Sequence, residues 1–431
     1  MPHDSPNDTP AASPAASLAE FPAHAPRPPQ APLPLAGIRV VDFSHFIAGP
    51  FATMMLADMG ADVIKIESPG RGDEFRHFAP VPEQTPTQGA PFMWSNRNKR
   101  SVALNLKTPE GADAARALIA SADVLCENFS AGVMEKFGLG YEQLRDAYPR
   151  LVYCAVSAYG RSGPFSDRLG FDPIAQAESG FVSMNGYPDR EGVRATSPIV
   201  DIGTAMMACN AILGALMARH STRRGQRIDL ALFDTAVTMT GFAAMQNLYT
   251  GRDAPRTGNV STDTCPTGVF RSADQPFFLI CGTDDMFARL ARSVIDRPEL
   301  AADPRYATRA SRLRERDALF ELLGGLFATQ PWRHWQARMR AASIPCGVVR
   351  SVGEALRSDE AREREIVSRV EHPALGWVPN IRLPIRYSAT PLADPRPAPA
   401  LGGQTAEILK ELAGYDDTQI AALARSGVIS L

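Results

Sequence analysis

Several features that would assign this chain quickly are missing. Its six cysteines (Cys126, Cys154, Cys209, Cys265, Cys281, Cys346) include no Cys-x-x-Cys pair, and its seven histidines show no His-x-x-x-His spacing. A disulfide frame and a zinc site are both disfavoured, and no metal is expected. Several cysteines sit inside apolar runs, as in Val152-Tyr153-Cys154-Ala155-Val156, which fits buried free thiols in a reducing compartment. There is no excess of one charge. The formal net charge is -2 with 45% apolar and 21% charged residues, so neither nucleic acid nor an anionic membrane is the expected partner. No uninterrupted apolar stretch reaches the ~20 residues that span a bilayer.

Residues 1–34 carry almost no large apolar side chains and hold ten of the 36 prolines, a composition that predicts a disordered tail. The tail has neither the charged start and apolar stretch of a signal peptide nor the arginines of a transit peptide, so a cytoplasmic location is expected.

From Leu35 the pattern becomes regular. Ile38 to Phe43 reads as a buried strand, Pro50 to Met59 as a helix, and Asp62 to Glu67 as the next strand. This is one βαβ unit, with parallel pairing and a right-handed crossover. Strands at 101–106, 123–127 and 151–157 and a helix at 109–120 continue an α/β doubly wound, Rossmann-like large domain. The expected division is 35–225 for the N-terminal part of that domain, 226–335 for a smaller α+β domain, and 336–431 for a return segment completing the large one.

An opening βαβ suggests a dinucleotide, but that requires a Gly-x-Gly-x-x-Gly turn where backbone meets pyrophosphate. Here the turn is Phe43-Ser44-His45-Phe46-Ile47-Ala48-Gly49-Pro50, with one glycine and a proline that removes an N–H. No Walker loop is present either. Nicotinamide and ATP are disfavoured.

Two basic clusters survive this screen. Arg97, Lys99 and Arg100 lie just before a strand, and Arg76 ends the stretch from Pro69 that follows one. Either cluster alone reads as a solvated loop; together they suit a phosphate-bearing, nucleotide-like ligand. Asn128 and Phe129 end a strand, an amide and a ring suited to an adenine, or simply a turn former and a core residue.

Asp201 follows Ser197-Pro198-Ile199-Val200 and opens a helix running to about His220. A carboxylate there reads as an ordinary cap, kept ionised by free N–H groups and the helix dipole. It also stands among few candidates for a reactive group.

Longer stretches carry a resemblance. They include Gly37 to Glu67, Pro69 to Asp73, Asn96 to Ser101, Glu127-Asn128-Phe129, Gly138 to Tyr141, Tyr159 to Pro164, Gly170-Phe171-Asp172, Gly225-Gln226, Ile344 to Gly347 and Gly414 to Asp417. In this order, over essentially all of 35–431, they resemble the family III CoA-transferases. The resemblance implies an interlocked, ring-shaped homodimer and coenzyme A or an acyl-CoA as substrate, with no permanently bound cofactor. His45, Phe46, Ile47, Ala48, Leu104, Asn128, Phe129 and Lys136 fall where that family contacts CoA, and its nucleophilic aspartate falls on Asp201. The implied reaction moves CoA to a small carboxylic acid through an aspartyl mixed anhydride and an aspartyl-CoA thioester, with backbone N–H groups at the helix start as oxyanion donors.

Departures from the family inform the substrate. The long glycine-rich loop of formyl-CoA transferase is reduced to Thr257-Gly258-Asn259-Val260-Ser261-Thr262, and Ile47 stands where that enzyme has glutamine. Formyl-CoA with oxalate is thereby disfavoured, and succinyl-CoA with a small dicarboxylic acid is the closer likeness. The α-methylacyl-CoA racemases of the same fold need a histidine where this chain has Phe171, which cannot take a proton. Asp172 remains as a second active-site carboxylate or a loop cap. A CoA-binding homologue without turnover is the third possibility.

Overall fold

The computed structural model describes residues 18–431, which form two compact units. The larger comprises the chain up to Ser179, Ala195–Gly241 and Asp359–Leu431. Its sheet contains β1 (Arg39–Asp42), β2 (Asp62–Glu67), β3 (Arg100–Leu104), β4 (Val124–Glu127), β5 (Val152–Ser157) and β6 (Arg227–Ala231). These six are parallel in the order β3-β2-β1-β4-β5-β6, and the short strand Ile429–Ser430 adds antiparallel to β3. Strand order reverses between β1 and β4, the switch point where doubly wound sheets open a crevice at their carboxyl ends.

Both faces of this sheet are covered, which is why its strands read as near-continuous apolar runs. On one face lie α1 (Ala48–Asp58) and the long helix that follows Pro198; on the other lies α2 (Pro109–Ala120), capped by Thr108 with Pro109 at its first position. Two further helices matter for the site: α3 (Asp172–Glu178) and α4 (Ile199–Thr222), the long helix just mentioned. Among the described residues α4 is the one helix long and apolar enough to cross a bilayer, and it packs along α1 in the core. It ends at Arg223, with φ of 60°, where Gly225 passes so close to Leu151 that a Cβ would lie 2.0 Å from its carbonyl oxygen. After β6 come two helices, α5 (Leu232–Met239) and Phe242–Thr250, separated at Gly241 with φ of 58°.

The smaller unit comprises Gly180–Arg194 and Phe242–Ser358. It folds as an antiparallel sheet of β7 (Thr267–Arg271), β8 (Pro276–Ile280) and β9 (Cys346–Val348) packed with helices on an aromatic core. The expected boundaries therefore move. Residues 226–241 stay with the larger unit because β6 pairs with β5, and 336–358 join the smaller because β9 pairs with β8.

The expected tail also needs correction. Residues 1–17 lie outside the described residues, but from Pro22 the chain is tied down. Pro22 and His24 exchange backbone hydrogen bonds with Arg369 on a hairpin strand, and Asp394 accepts from the Arg27 amide at 2.8 Å and pairs with His24 at 3.0 Å. Pairing to a sheet edge uses main-chain groups, so it does not require the large apolar side chains that are scarce in this segment.

Candidate active site

The site is built on the turn after β1. Asp42 ends that strand fully buried, accepting from the Ser44 amide and hydroxyl and from the Thr53 hydroxyl on α1. Lys99 reaches it at 2.9 Å, and Lys65 bonds both the Ser44 carbonyl (2.6 Å) and Asp73 (3.0 Å). Glu67 grips Arg76 through two bonds of 2.7 Å and accepts from Ser101. Burial alone would raise the Asp42 carboxyl, but Lys99 and Lys65 overcome it and hold Asp42 well below the usual carboxylate range. Burial likewise acts against Glu67, and the Arg76 guanidinium brings it down to about 2. Burial pulls Lys99 down to about 8.

Above this buried layer the backbone is forced. Phe46 adopts φ of 62°, a strained conformation for a bulky residue, with its N–H donated to Asp73. Gly49 is required because a Cβ there would sit 2.2 Å from that of Ser44. The strain delivers Phe46, Ile47 and the uncapped first turn of α1 to the sheet's carboxyl edge.

There a cleft of about 330 Å³ opens. His45 to Ala48 line it after β1, Asn128 to Ala131 after β4, and Ser157 and Ala158 at the end of β5, with Phe171 and Asp201 in its wall. This is the switch-point crevice, of a size suited to a small ligand. Asn128 does not offer its amide to an adenine, because both ends of that amide bond the His45 main chain at 2.8 Å. Phe129 remains, its ring centroid 5.1 Å from that of His45. Burial and Lys65 lower the His45 pKa, favouring a neutral imidazole. Phe171 is largely exposed and meets Phe46 edge to face at 6.0 Å.

Asp201 is not the cap of its helix. It is the third residue of α4, and the carboxylate at the helix start is that of Asp172, which accepts from the Val200 (2.7 Å) and Asp201 (3.1 Å) amides. The loop-cap reading of Asp172 is the one its geometry supports, and the cap acts on α4. Two consequences follow. With the Ile202 amide bonded to Pro198, the first-turn donors expected to steady an oxyanion are occupied. Asp201 is also not held strongly acidic; burial, then the neighbouring Asp172 charge, push its carboxyl up to about 7.

The basic clusters are elsewhere. Arg76 is fully buried on Glu67 and the Thr87 and Pro399 carbonyls, over the Phe92 ring. Arg97 pairs with Asp58 and Lys99 with Asp42, both buried, while Arg100 bonds Asp62 and Glu411. All four are committed to partners within the fold and none lines the cleft; arginines and lysines beside strands read alike in sequence whether they face solvent or a buried carboxylate. Leu104 belongs to the core on β3, away from the cleft. Lys136 is exposed on the short helix Val133–Lys136 and does not line the cleft.

Comparison with known proteins identifies the family. The model for CoA-transferase family III matches residues 35–405. The chain belongs to that family. The succinyl-CoA:glutarate CoA-transferase of Mus musculus is 34% identical, covering 92% of this chain and 90% of its own length. The succinate–glutarate CoA-transferase of Agrobacterium fabrum is 36% identical over 89% of this chain and 97% of its own. Among solved structures, a CAIB/BAIF family protein from Brucella suis superposes with a TM-score of 0.80 at 34% identity, covering 88% of this chain and all of the other. This chain is therefore an enzyme of the CoA-transferase family.

Sequence reasoning missed the buried charged layer. Its signal was present: Asp42, Lys65 and Glu67 stand beside the apolar residues of β1 and β2.

Proposed function

We propose that this enzyme moves CoA from succinyl-CoA to a small dicarboxylic acid, with Asp201 as the covalent nucleophile. The observation that carries the reading is the Asp201 carboxyl in the wall of the cleft that His45 to Ala48 and Phe129 also line. The printed activities of the relatives supply the donor and acceptor classes.

In this reading the Asp201 carboxylate attacks the thioester carbonyl, forming a mixed anhydride and expelling CoA thiolate. The thiolate then attacks the Asp201 carbonyl carbon, releasing succinate and leaving an aspartyl-CoA thioester. The acceptor carboxylate attacks that thioester and expels the thiolate again. Attack of the thiolate on the acceptor's acyl carbon gives the new acyl-CoA and restores Asp201. Only the anion attacks, so a carboxyl near 7 is competent in about half the molecules at neutral pH. The Ala48 and Gly49 amides, at the start of an α1 first turn that has no side-chain cap and in which Pro50 carries no N–H, are the donor set we assign to the developing oxyanion in place of α4. The interlocked homodimer of the family belongs to the same proposal. Phe171, which cannot carry a proton, weighs against racemisation.

The test is direct. Incubation with succinyl-CoA and hydroxylamine is expected to leave a hydroxamate on Asp201, and added glutarate should yield glutaryl-CoA. Asp201→Ala should lose transfer by about three orders of magnitude or more. Transfer at the wild-type rate in that variant would sink the assignment.

A further inference from the structure

Two carboxylates meet where α4 begins, and they are held very differently. Asp172 is buried and saturated. One oxygen accepts the Val200 and Asp201 amides, and the other accepts the Gln176 side-chain amide at 2.5 Å. Gln176 is itself fully buried and receives the Ala195 amide at 2.8 Å, so the chain entering α4 is tied to α3 at three backbone positions. Asp201 has no side-chain hydrogen bond among the described residues and faces the cleft.

We propose that Asp172 is a positioning residue for CoA transfer: it clamps the backbone of the nucleophile and supplies a fixed negative charge against which Asp201 must ionise. The proposal rests on Asp201 being the nucleophile. A like charge beside a carboxylate makes its anion scarcer below neutrality but more basic, and a more basic anion attacks a carbonyl faster. Asp172 therefore trades ionised fraction for reactivity, and spends the α4 amides that would otherwise favour the anion.

Of the other ionisable groups that line the cleft with Asp201, His45 is kept neutral by burial and Lys65, Arg168 is paired with Glu178, and Asp167 lies on the loop before α3. The acidic group of α1, Asp58, lies at its far end, paired with Arg97. On α3, Glu178 is engaged by Tyr159 and Arg168. Asp234 on α5 is exposed, β5 carries no charged residue, and Arg227 and Asp229 on β6 pair with each other. The raised ionisation of Asp201 agrees, with burial first and Asp172 second as its causes.

The experiment separates charge from cap. Asp172→Asn keeps an acceptor oxygen for the α4 amides, and Asp172→Ser is a second neutral cap should the first fold poorly. The rate of hydroxylamine-trapped acylation of Asp201 by succinyl-CoA is followed against pH. A substrate-free readout accompanies it: the pH dependence of the stability difference between each protein and its Asp201→Asn counterpart. Both midpoints are expected to fall from near 7 by at least about one pH unit. The plateau acylation rate at high pH should fall about tenfold as the anion loses basicity. Unchanged midpoints in a folded neutral variant, even with activity lost, would overturn the proposal and leave Asp172 a structural cap. Absence of any wild-type adduct would refute the nucleophile instead, while the stability cycle still reports whether the two carboxyls are coupled.

Discussion

The two compact units are stabilised in opposite ways. Beneath the β1 turn of the larger unit lie three buried ion pairs, Lys65–Asp73, Arg76–Glu67 and Lys99–Asp42, with every member fully excluded from solvent or nearly so. The smaller unit is centred on Phe270, Phe277, Phe327, Trp332 and Trp335, whose neighbouring rings lie about 5 Å apart. Its fully buried cation, Arg312, is neutralised by Asp284 and two carbonyls. Apolar packing is non-directional, so a side chain that shrinks leaves a cavity but does not re-aim its neighbours. Buried ion pairs gain little net stability after desolvation, but they impose directions. The larger unit has its charged layer directly under the strained Phe46, where direction decides the shape of the cleft.

Removing one ion should break this comparison most visibly. Lys65→Met leaves Asp73 and the Ser44 carbonyl without their cation and is expected to cost about 3–5 kcal/mol. Phe327→Ala should cost a similar ~3–5 kcal/mol through its cavity. Denaturant titration would show both losses. Specific activity per folded molecule should fall only for Lys65→Met; an equal fall in both would erase the distinction.

The next effect concerns a half-buried carboxyl with no cation. The folded pKa of Asp201 lies above its ordinary 3.8, near 7, so folding favours its neutral form and stability is lost as pH rises between those values. Asp201→Asn, which cannot ionise, should match wild type near pH 4 and exceed it by up to ~4 kcal/mol at pH 8. Parallel stability curves across that range would contradict the raised ionisation.

The smallest effect tests a charge that is paired but partly exposed. Arg100→Ala should cost less than ~1 kcal/mol and leave the KM for acyl-CoA unchanged. A tenfold rise in KM would restore Arg100 as a phosphate ligand.

Much of the larger unit could be read from the chain. The apolar runs of β1, β2, β4 and β5 and the Thr108-Pro109 start of α2 each carry a local signal, and a helix bearing Asp201 followed from the small and apolar residues after it. The carboxylate that caps that helix did not, because Asp172 is 29 residues away from the amide it holds. The partners of the phosphate-suited arginines were hidden for the same reason: Arg97 meets Asp58, 39 positions earlier, only through the fold.

Local chemistry thus determined the strands, most helices and the absence of a dinucleotide fingerprint. These depend on near neighbours and on periodicity, which a chain displays directly. Tertiary structure decided which charges are spent and which are free, since pairing joins residues hundreds of positions apart, as Arg76 does with the Pro399 carbonyl. It decided the state of Asp201 as well. A carboxylate near a helix start is ordinarily kept ionised, but here burial and the interposed Asp172 reverse that preference.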